Sequence, residues 1–505
     1  MIETARDKQF LRPRGLRIDP LMRYYFGSNA LLSLVVLILI TVFLFREGFG
    51  FFPQNLRNLR LYRQAGLEYV DIVRARVDEH TGLSRYLQAI RQKEINRLLA
   101  EHVNPGQAVE RLSDFDRFSG EFDKTANDLR SLLSDMTEMA SAIKEKGGKA
   151  EESGAVSPDF KTELVPLLGS FPVYQKTSEK LCRDLEDLLA RIPAQPVPGF
   201  EPSMEKFKKL ATLYIAGFPA AEAKMKSWNP LLPVPWYRAV SSFLFGRDWI
   251  TNSFWQDFFG VLPLLCGSVM IAVIALSIAV PFGVCSAVYV SEFASIHEQR
   301  LIKPYIEFIS AIPSVVLGFF GVAMLGQTLR MITQISILSW VPGFPISERL
   351  NAFTAGVLLA IMAIPTIFTL SEDALNNVPR GFKEASYALG ATRLQTMARI
   401  VIPSSLSGIL SAVLLGFGRV IGETMVVLLC AGNRIAIPDF TQGIASIFQP
   451  VHTMTGIIAQ ELGEVPRGSI HWRALFMVGI LLFFLSLIIN YIAQHIVRKF
   501  KISIG

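Results

Sequence analysis

Charge is scarce in this 505-residue chain: Asp, Glu, Lys and Arg make up 18% of it, against roughly a quarter in soluble domains. Cysteine is scarcer, with four residues and no CxxC spacing, and the six histidines form no HExxH pair. A disulfide framework and the common zinc signatures are therefore not readable. The chain also lacks a GxxxxGK[ST] loop, the turn whose backbone amides cradle nucleotide phosphates. It is expected to bind no cofactor and to catalyse no ATP hydrolysis of its own, so it does not read as an enzyme. The net charge of +7 is modest, and its basic excess sits beside apolar runs, which points to a membrane lipid boundary and to no nucleic acid partner.

Half of the chain, 51%, is hydrophobic, and those residues cluster. About 20 apolar residues are needed to carry a helix across a bilayer. Runs at 24–45, 260–288, 308–328, 351–370, 406–431 and 474–497 meet or approach that length. Each is predicted to be a helix, because a spanning segment must satisfy its own backbone hydrogen bonds. Cys266, Cys285 and Cys430 fall in these runs, and Cys182 lies in the polar region. The first run ends Phe-Arg-Glu-Gly instead of in small residues, so it reads as a retained helix and not as a cleaved signal. Six spans put both termini on one side. With that side cytoplasmic, fifteen Lys and Arg fall in the inner termini and short loops against five in the short outer loops, the bias expected of a multi-pass protein of the cell inner membrane.

The expected fold class is thus an all-α integral membrane protein with six transmembrane helices and a large helical periplasmic insertion. Residues 1–23 form a cytoplasmic segment and 24–45 the first helix. Residues 46–255 form the insertion with an interfacial elbow, and 256–505 the core with spans two to six. The insertion is nearly balanced in charge. Its pattern is helical over 107–146, with Leu129, Leu132, Leu133 and Met136 at helical spacing, and shorter helices are expected over 177–192 and 203–228. Residues 147–158 read as a flexible loop and 193–202 as a break. A helical bundle packing on itself explains the region, although a sensor or a docking platform has the same pattern. Residues 236–259 carry nine Phe, Trp and Tyr, which suits a membrane–water interface; packing against the insertion is the alternative.

Between the fourth and fifth runs, residues 371–405 read as helix, turn, helix. The core is Glu384-Ala385-Ser386-Tyr387-Ala388-Leu389-Gly390, followed after nine residues by Ile400-Val401-Ile402-Pro403. Pro379 suits a first helical turn and Gly390 a left-handed one. Small side chains at Ala385, Ser386 and Ala388 leave a surface open to close approach, and Pro403 is expected to interrupt the second helix. This resembles the EAA motif of permeases of ABC importers, with Ser386 in place of the second Ala and Ile402 in place of Leu. The resemblance implies that Glu384, Ala385, Ser386, Gly390, Ile400 and Pro403 couple the permease to an ATPase subunit, which spends the ATP.

The fifth run contains the charged pair Arg419 and Glu423, in Gly416-Phe417-Gly418-Arg419-Val420-Ile421-Gly422-Glu423-Thr424. Four residues apart on a helix, the two share a face, and an ion pair would lower their cost in lipid. A guanidinium fork suits a tetrahedral oxyanion, but the residues alone leave substrate passage and a helix-locking salt bridge equally open. The stretch is similar to the Gly-Arg-x-x-Gly-Glu-Thr signature of phosphate-specific permeases of PstC type. Residues 267–293, ending Ala-Val-Tyr-Val-Ser-Glu-Phe, Ile312-Pro313-Ser314, and Ala431-Gly432-Asn433 agree with it. The resemblance covers about residues 21–48 and 239–503 and omits the insertion. It implies phosphate import with Arg419, Glu423 and Thr424 on the substrate path. The implied partners are a second, PstA-type permease, two PstB-type ATPase subunits and a PstS-type periplasmic phosphate-binding protein. A permease for sulfate, molybdate or tungstate, or a membrane sensor, are the alternatives.

Overall fold

Apolar length sets where this chain can cross a bilayer, and proline and glycine set where the crossings begin and end. The computed structural model describes residues 18–101, 103–153, 159–192, 201–251, 253, 257–335, 344, 346 and 348–500, nearly all of them helical. Among these, six helices are long and apolar enough to span a membrane: Ile18–Phe49, Leu262–Glu292, Ser314–Thr333, Ala352–Asn376, Arg393–Gly422 and Ile470–Phe500, here spans 1 to 6. The chain divides into two compact units.

The first unit comprises Met1–Phe51, Phe243–Trp249 and Phe259–Gly505. Spans 2 and 4 pack along each other with many small residues at the contact: Ala272, Ala275 and Ala279 meet Ala352, Ala355 and Ala363 in one buried cluster that also holds Ile271 and Leu358. Lipid tails are as apolar as leucine, so dense backbone approach has to replace the hydrophobic drive. Span 1 is exposed over most of its length and packs on span 6, where Phe43 meets Phe476 and Phe45 meets Phe483 and Phe484. Gly432, with φ +88°, turns the chain after span 5; a Cβ there would lie 2.6 Å from the Leu350 carbonyl oxygen.

Several span boundaries differ from the sequence reading, and the largest shift is the start of span 5, which lies at Arg393 and not near residue 406. Phe308 does not open span 3. It belongs to a separate helix, Ile296–Ala311, and span 3 starts after Pro313, because Ile312 before proline is extended (ψ 123°). Span 4 continues to Asn376, so residues 371–376 close that span instead of opening the loop. Span 5 stops at Gly422 and does not run on to Ala431; Met425–Cys430 is a helix of its own.

The second unit comprises Phe52–Ser242 and Ile250–Phe258. Its helices Leu67–Ala100, Ser113–Thr125, Asn127–Ser153, Phe171–Ala190, Glu201–Ala216 and Phe218–Ser227 surround a core of large side chains. Phe115, Phe118 and Phe122 recur at helical spacing, as do Leu181, Leu185 and Leu189, and all face the same cluster with Tyr69, Tyr174 and Phe207. The loop expected over 147–158 is helix as far as Ser153, and residues 154–158 lie outside the described residues. Gly147 is there for proximity: a Cβ would fall 2.7 Å from Leu61 Cδ1 and 2.9 Å from Phe160 Cζ. The helix expected over 203–228 is broken at Gly217, where a Cβ would lie 2.1 Å from the Arg76 guanidinium. Most of the expected break at 193–202 lies outside the described residues. The aromatic stretch is divided. Phe243, Trp249 and Phe259 are buried, and Trp236, Tyr237 and Phe245 are exposed; Phe254 and Trp255 lie outside the described residues.

Candidate functional site

Arg419 occupies the last turn of span 5. Its Nη1 donates a 3.0 Å hydrogen bond to Thr366 Oγ1 on span 4, and the side chain is otherwise exposed. Of the nearby glycines, only Gly416 is needed for helix packing, since a Cβ would strike Ile367 at 2.7 Å. Gly418 and Gly422 have nothing within 4 Å of a built Cβ. Arg419 is therefore flanked by bare backbone facing open space, the form that admits a solute close to a guanidinium.

The shared helix face does not survive. Glu423 caps the helix in extended geometry (φ −73°, ψ 133°), and among the described residues no ion pair joins it to Arg419. Its Oε1 accepts the Met425 N–H at 3.3 Å, and its carbonyl accepts the Thr455 hydroxyl at 2.9 Å. The carboxylate thus starts the next short helix, in place of orienting the guanidinium. Thr424 is the cap of that helix. It also borders an open cavity of about 640 Å³ lined by Thr455, Ile458, Leu462, Arg467 and Trp472, among others. Arg467 is one of the five basic residues counted in the short outer loops, and Thr366 carried no mark in the sequence; a hydroxyl next to Pro365 in an apolar run was the available signal.

The second site is the loop between spans 4 and 5. Arg380–Ala388 is a helix capped by Pro379, which sits one residue before the first turn. Gly390 takes φ +79°, as the left-handed turn requires. Glu384, Ala385, Ala388 and Gly390 are exposed, but Ser386 is not. It is 5% exposed, and its hydroxyl bonds the Thr396 hydroxyl at 2.8 Å across the turn. Ser386 therefore locks the two helices together and presents no surface. Pro403 does not interrupt the second helix either. Span 5 runs unbroken from Arg393 through a π-helical turn, Met397–Val401, which absorbs the amide that proline cannot supply. Ile400 is half-buried in that turn. The exposed tip adds two residues the motif leaves unspecified: Leu389, 89% exposed, and Leu394, 67% exposed.

Residues 279–502 match the family described as Binding-protein-dependent transport system inner membrane component. The chain is 31% identical to the Probable ABC transporter permease protein YqgH of Bacillus subtilis over 48% of its own length and 74% of that protein's. It is 31% identical to the Phosphate transport system permease protein PstC of Mesorhizobium japonicum, over 53% of this chain and 83% of the relative. For the PstC of Haemophilus influenzae the figures are 30%, 52% and 84%. A solved structure of the MetNI methionine ABC transporter is 21% identical, covering 48% of this chain and 94% of that one, with a TM-score of 0.35. The chain belongs to the family of inner-membrane components of binding-protein-dependent transport systems.

Proposed function

We propose that this ABC-importer permease subunit carries inorganic phosphate. The observation that supports it most is the exposed Arg419 guanidinium, steadied by Thr366 and flanked by open glycines, in a stretch that resembles the signature of phosphate permeases. An arginine fork gives a tetrahedral oxyanion paired, charge-assisted hydrogen bonds. Glu423 is not paired with Arg419 among the described residues, and in this reading its carboxylate accepts a hydrogen bond from the hydroxyl of a protonated phosphate, a donor that sulfate lacks at neutral pH. In this reading the termini are cytoplasmic, the helical insertion is periplasmic, and the path lies between this chain and a second homologous permease of PstA type. PstB-type ATPase subunits dock on the exposed tip of the loop between spans 4 and 5, and a PstS-type protein delivers the anion outside.

The test is uptake by the transporter reconstituted in vesicles with its neighbouring subunits. Phosphate is expected to stimulate ATP hydrolysis and to outcompete sulfate, molybdate and tungstate. Arg419→Ala is expected to lower uptake by roughly 10- to 100-fold, the loss of hydrogen bonds to a charged group. Full uptake by an assembled Arg419→Ala complex overturns the role of Arg419, and sulfate or molybdate as the preferred anion overturns phosphate.

A further inference from the structure

We propose that Lys383 and Glu292 form the joint through which the loop between spans 4 and 5 moves span 2, which makes Lys383 a positioning residue for coupling ATP hydrolysis to transport. The inference rests on reading the chain as an importer permease.

The covalent chain gives the loop a hold on spans 4 and 5 only. Lys383 supplies a third. It stands in the helix Arg380–Ala388, and its ammonium pairs with the carboxylate of Glu292, the last residue of span 2 and 91 positions away in sequence. Both side chains are mostly covered, at 21% and 14% exposure. Lysine at a solvated surface has no reason to stay in one rotamer. In a covered site the alternative to the pair is an unpaired charge, so the link holds its geometry.

The link does not end at Glu292. Its neighbour Ser291 donates to Asn376 Oδ1 at 2.9 Å, Asn376 Nδ2 donates to Glu372 Oε1 at 3.3 Å, and Lys303 Nζ lies 2.5 Å from the same oxygen. Glu372 is buried, at 7% exposure, in the last turns of span 4, and Lys303 belongs to the helix before span 3. One polar chain therefore ties the ends of spans 2 and 4 and the helix leading to span 3, and Lys383 attaches the loop to it. On the loop's other side, Ala385, Leu389 and Leu394 are open to a partner. A displacement applied at that open side is passed to the end of span 2 by the Lys383–Glu292 pair. Span 2 then carries it along the face it shares with span 4, where Ile274 seats against Gly356. A pair that merely anchors the loop would strengthen the assembly without affecting how much substrate moves per ATP.

The experiment uses the full transporter in vesicles and reads phosphate imported per ATP hydrolysed, beside the melting temperature and retention of the ATPase subunits. Lys383→Met and Glu292→Gln are expected to keep hydrolysing ATP while the ratio falls by roughly fivefold or more, the scale of a typical coupling between sites. The double variant Lys383→Glu with Glu292→Lys restores the pair with reversed sign and is expected to recover most of the ratio. An unchanged ratio in the assembled single variants overturns the proposal, whatever their melting temperature. If the single variants do not assemble, the reversed pair decides: assembly with a restored ratio supports the joint, and assembly without it overturns the joint. A wild-type complex that imports a different anion defeats the phosphate reading alone, and the ratio is then read with that anion.

Discussion

The helical insertion fills its core with aromatic side chains, whereas along spans 2 and 4 small side chains are buried far more often. Tyr69, Phe115, Phe122, Tyr174 and Phe207 fill the insertion, and charged residues cover it. Between spans 2 and 4 alanine is the commonest buried residue, beside a few Ile and Leu, and the large apolar residues Phe282, Phe308, Phe319 and Leu37 of the same unit point outward. Each pattern answers a different solvent. In water an aromatic side chain gains by burying 150–250 Å² of its surface, by the usual measure. In lipid it gains nothing by turning inward, and stability comes from how closely backbones approach. One sequence thus follows two rules for what is inside, and the rule changes between the units.

The contrast predicts opposite sensitivities. Truncation should harm the insertion most. Phe122→Ala and Phe207→Ala should each cost about 3–5 kcal/mol, because the ring is lost and the cavity does not fully collapse. Limited proteolysis of the intact protein in detergent should then cleave within residues 52–242 at denaturant concentrations that leave the wild type whole. Equal resistance would mean that the insertion core is not what holds it folded.

Next in size is a pH effect confined to the insertion. His80 is fully buried, stacked on Phe122 at 4.6 Å. Thr125 donates its own hydroxyl to the Phe122 carbonyl at 2.7 Å, so it accepts from His80 Nε2 at 3.2 Å. Nδ1 is left as a buried, unprotonated nitrogen without a hydrogen-bond partner among the described residues. Burial, reinforced by the nearby Arg130, pushes the imidazole pKa down to about 4 from 6.5. A depressed pKa favours the neutral form on folding, so stability is complete above 6.5 and is lost as pH falls toward 4. The loss amounts to about 3 kcal/mol. Unfolding of the insertion followed between pH 7 and 4 should show this slope, and His80→Phe should flatten it. Asp123, held low mainly by Arg130, loses stability in the same direction, so a remaining shallow slope is expected below pH 4.

How much of this was legible follows the same division. The spans were readable because lipid demands long apolar runs, and Arg419 stood out because charge in such a run is costly. The break at Pro313 was encoded in Ile312-Pro313, but a run of apolar residues across it concealed the stop. The end of span 5 at Gly422 had no proline to mark it, and so Glu423 was placed on the wrong face. Ser386 resembled a surface residue until Thr396, ten positions on, came to bond it. Gly147 was read as a chain breaker when its function is contact with Leu61. Local signals were sufficient for helix type and for costly charges. Contacts between distant positions, such as Arg419 with Thr366, left no pattern in one sequence.

The spans should be harmed in the opposite sense, by enlargement. Gly267 of span 2 lies against the backbone of His452, and an added Cβ would come within 2.1 Å of that carbonyl oxygen. A flexible side chain would move aside, but a backbone carbonyl in a packed loop moves only with its neighbours. Gly267→Ala should therefore cost about 1–3 kcal/mol, read as a lower melting temperature and yield of the detergent-solubilised protein, with the proteolytic resistance of residues 52–242 unchanged.

The smallest effect tests whether surface charge on the insertion does anything beyond keeping it in water. Lys180 and Asp128 form a 2.8 Å ion pair with both side chains about 60% exposed. Water screens such a pair, and ordering two mobile side chains offsets most of what remains. Lys180→Ala should leave the unfolding midpoint of the insertion unchanged within error at both low and high salt. A clear loss that disappears in high salt would show that charge pairing contributes to this bundle, and the contrast between the two units would then have to include electrostatics as well as packing.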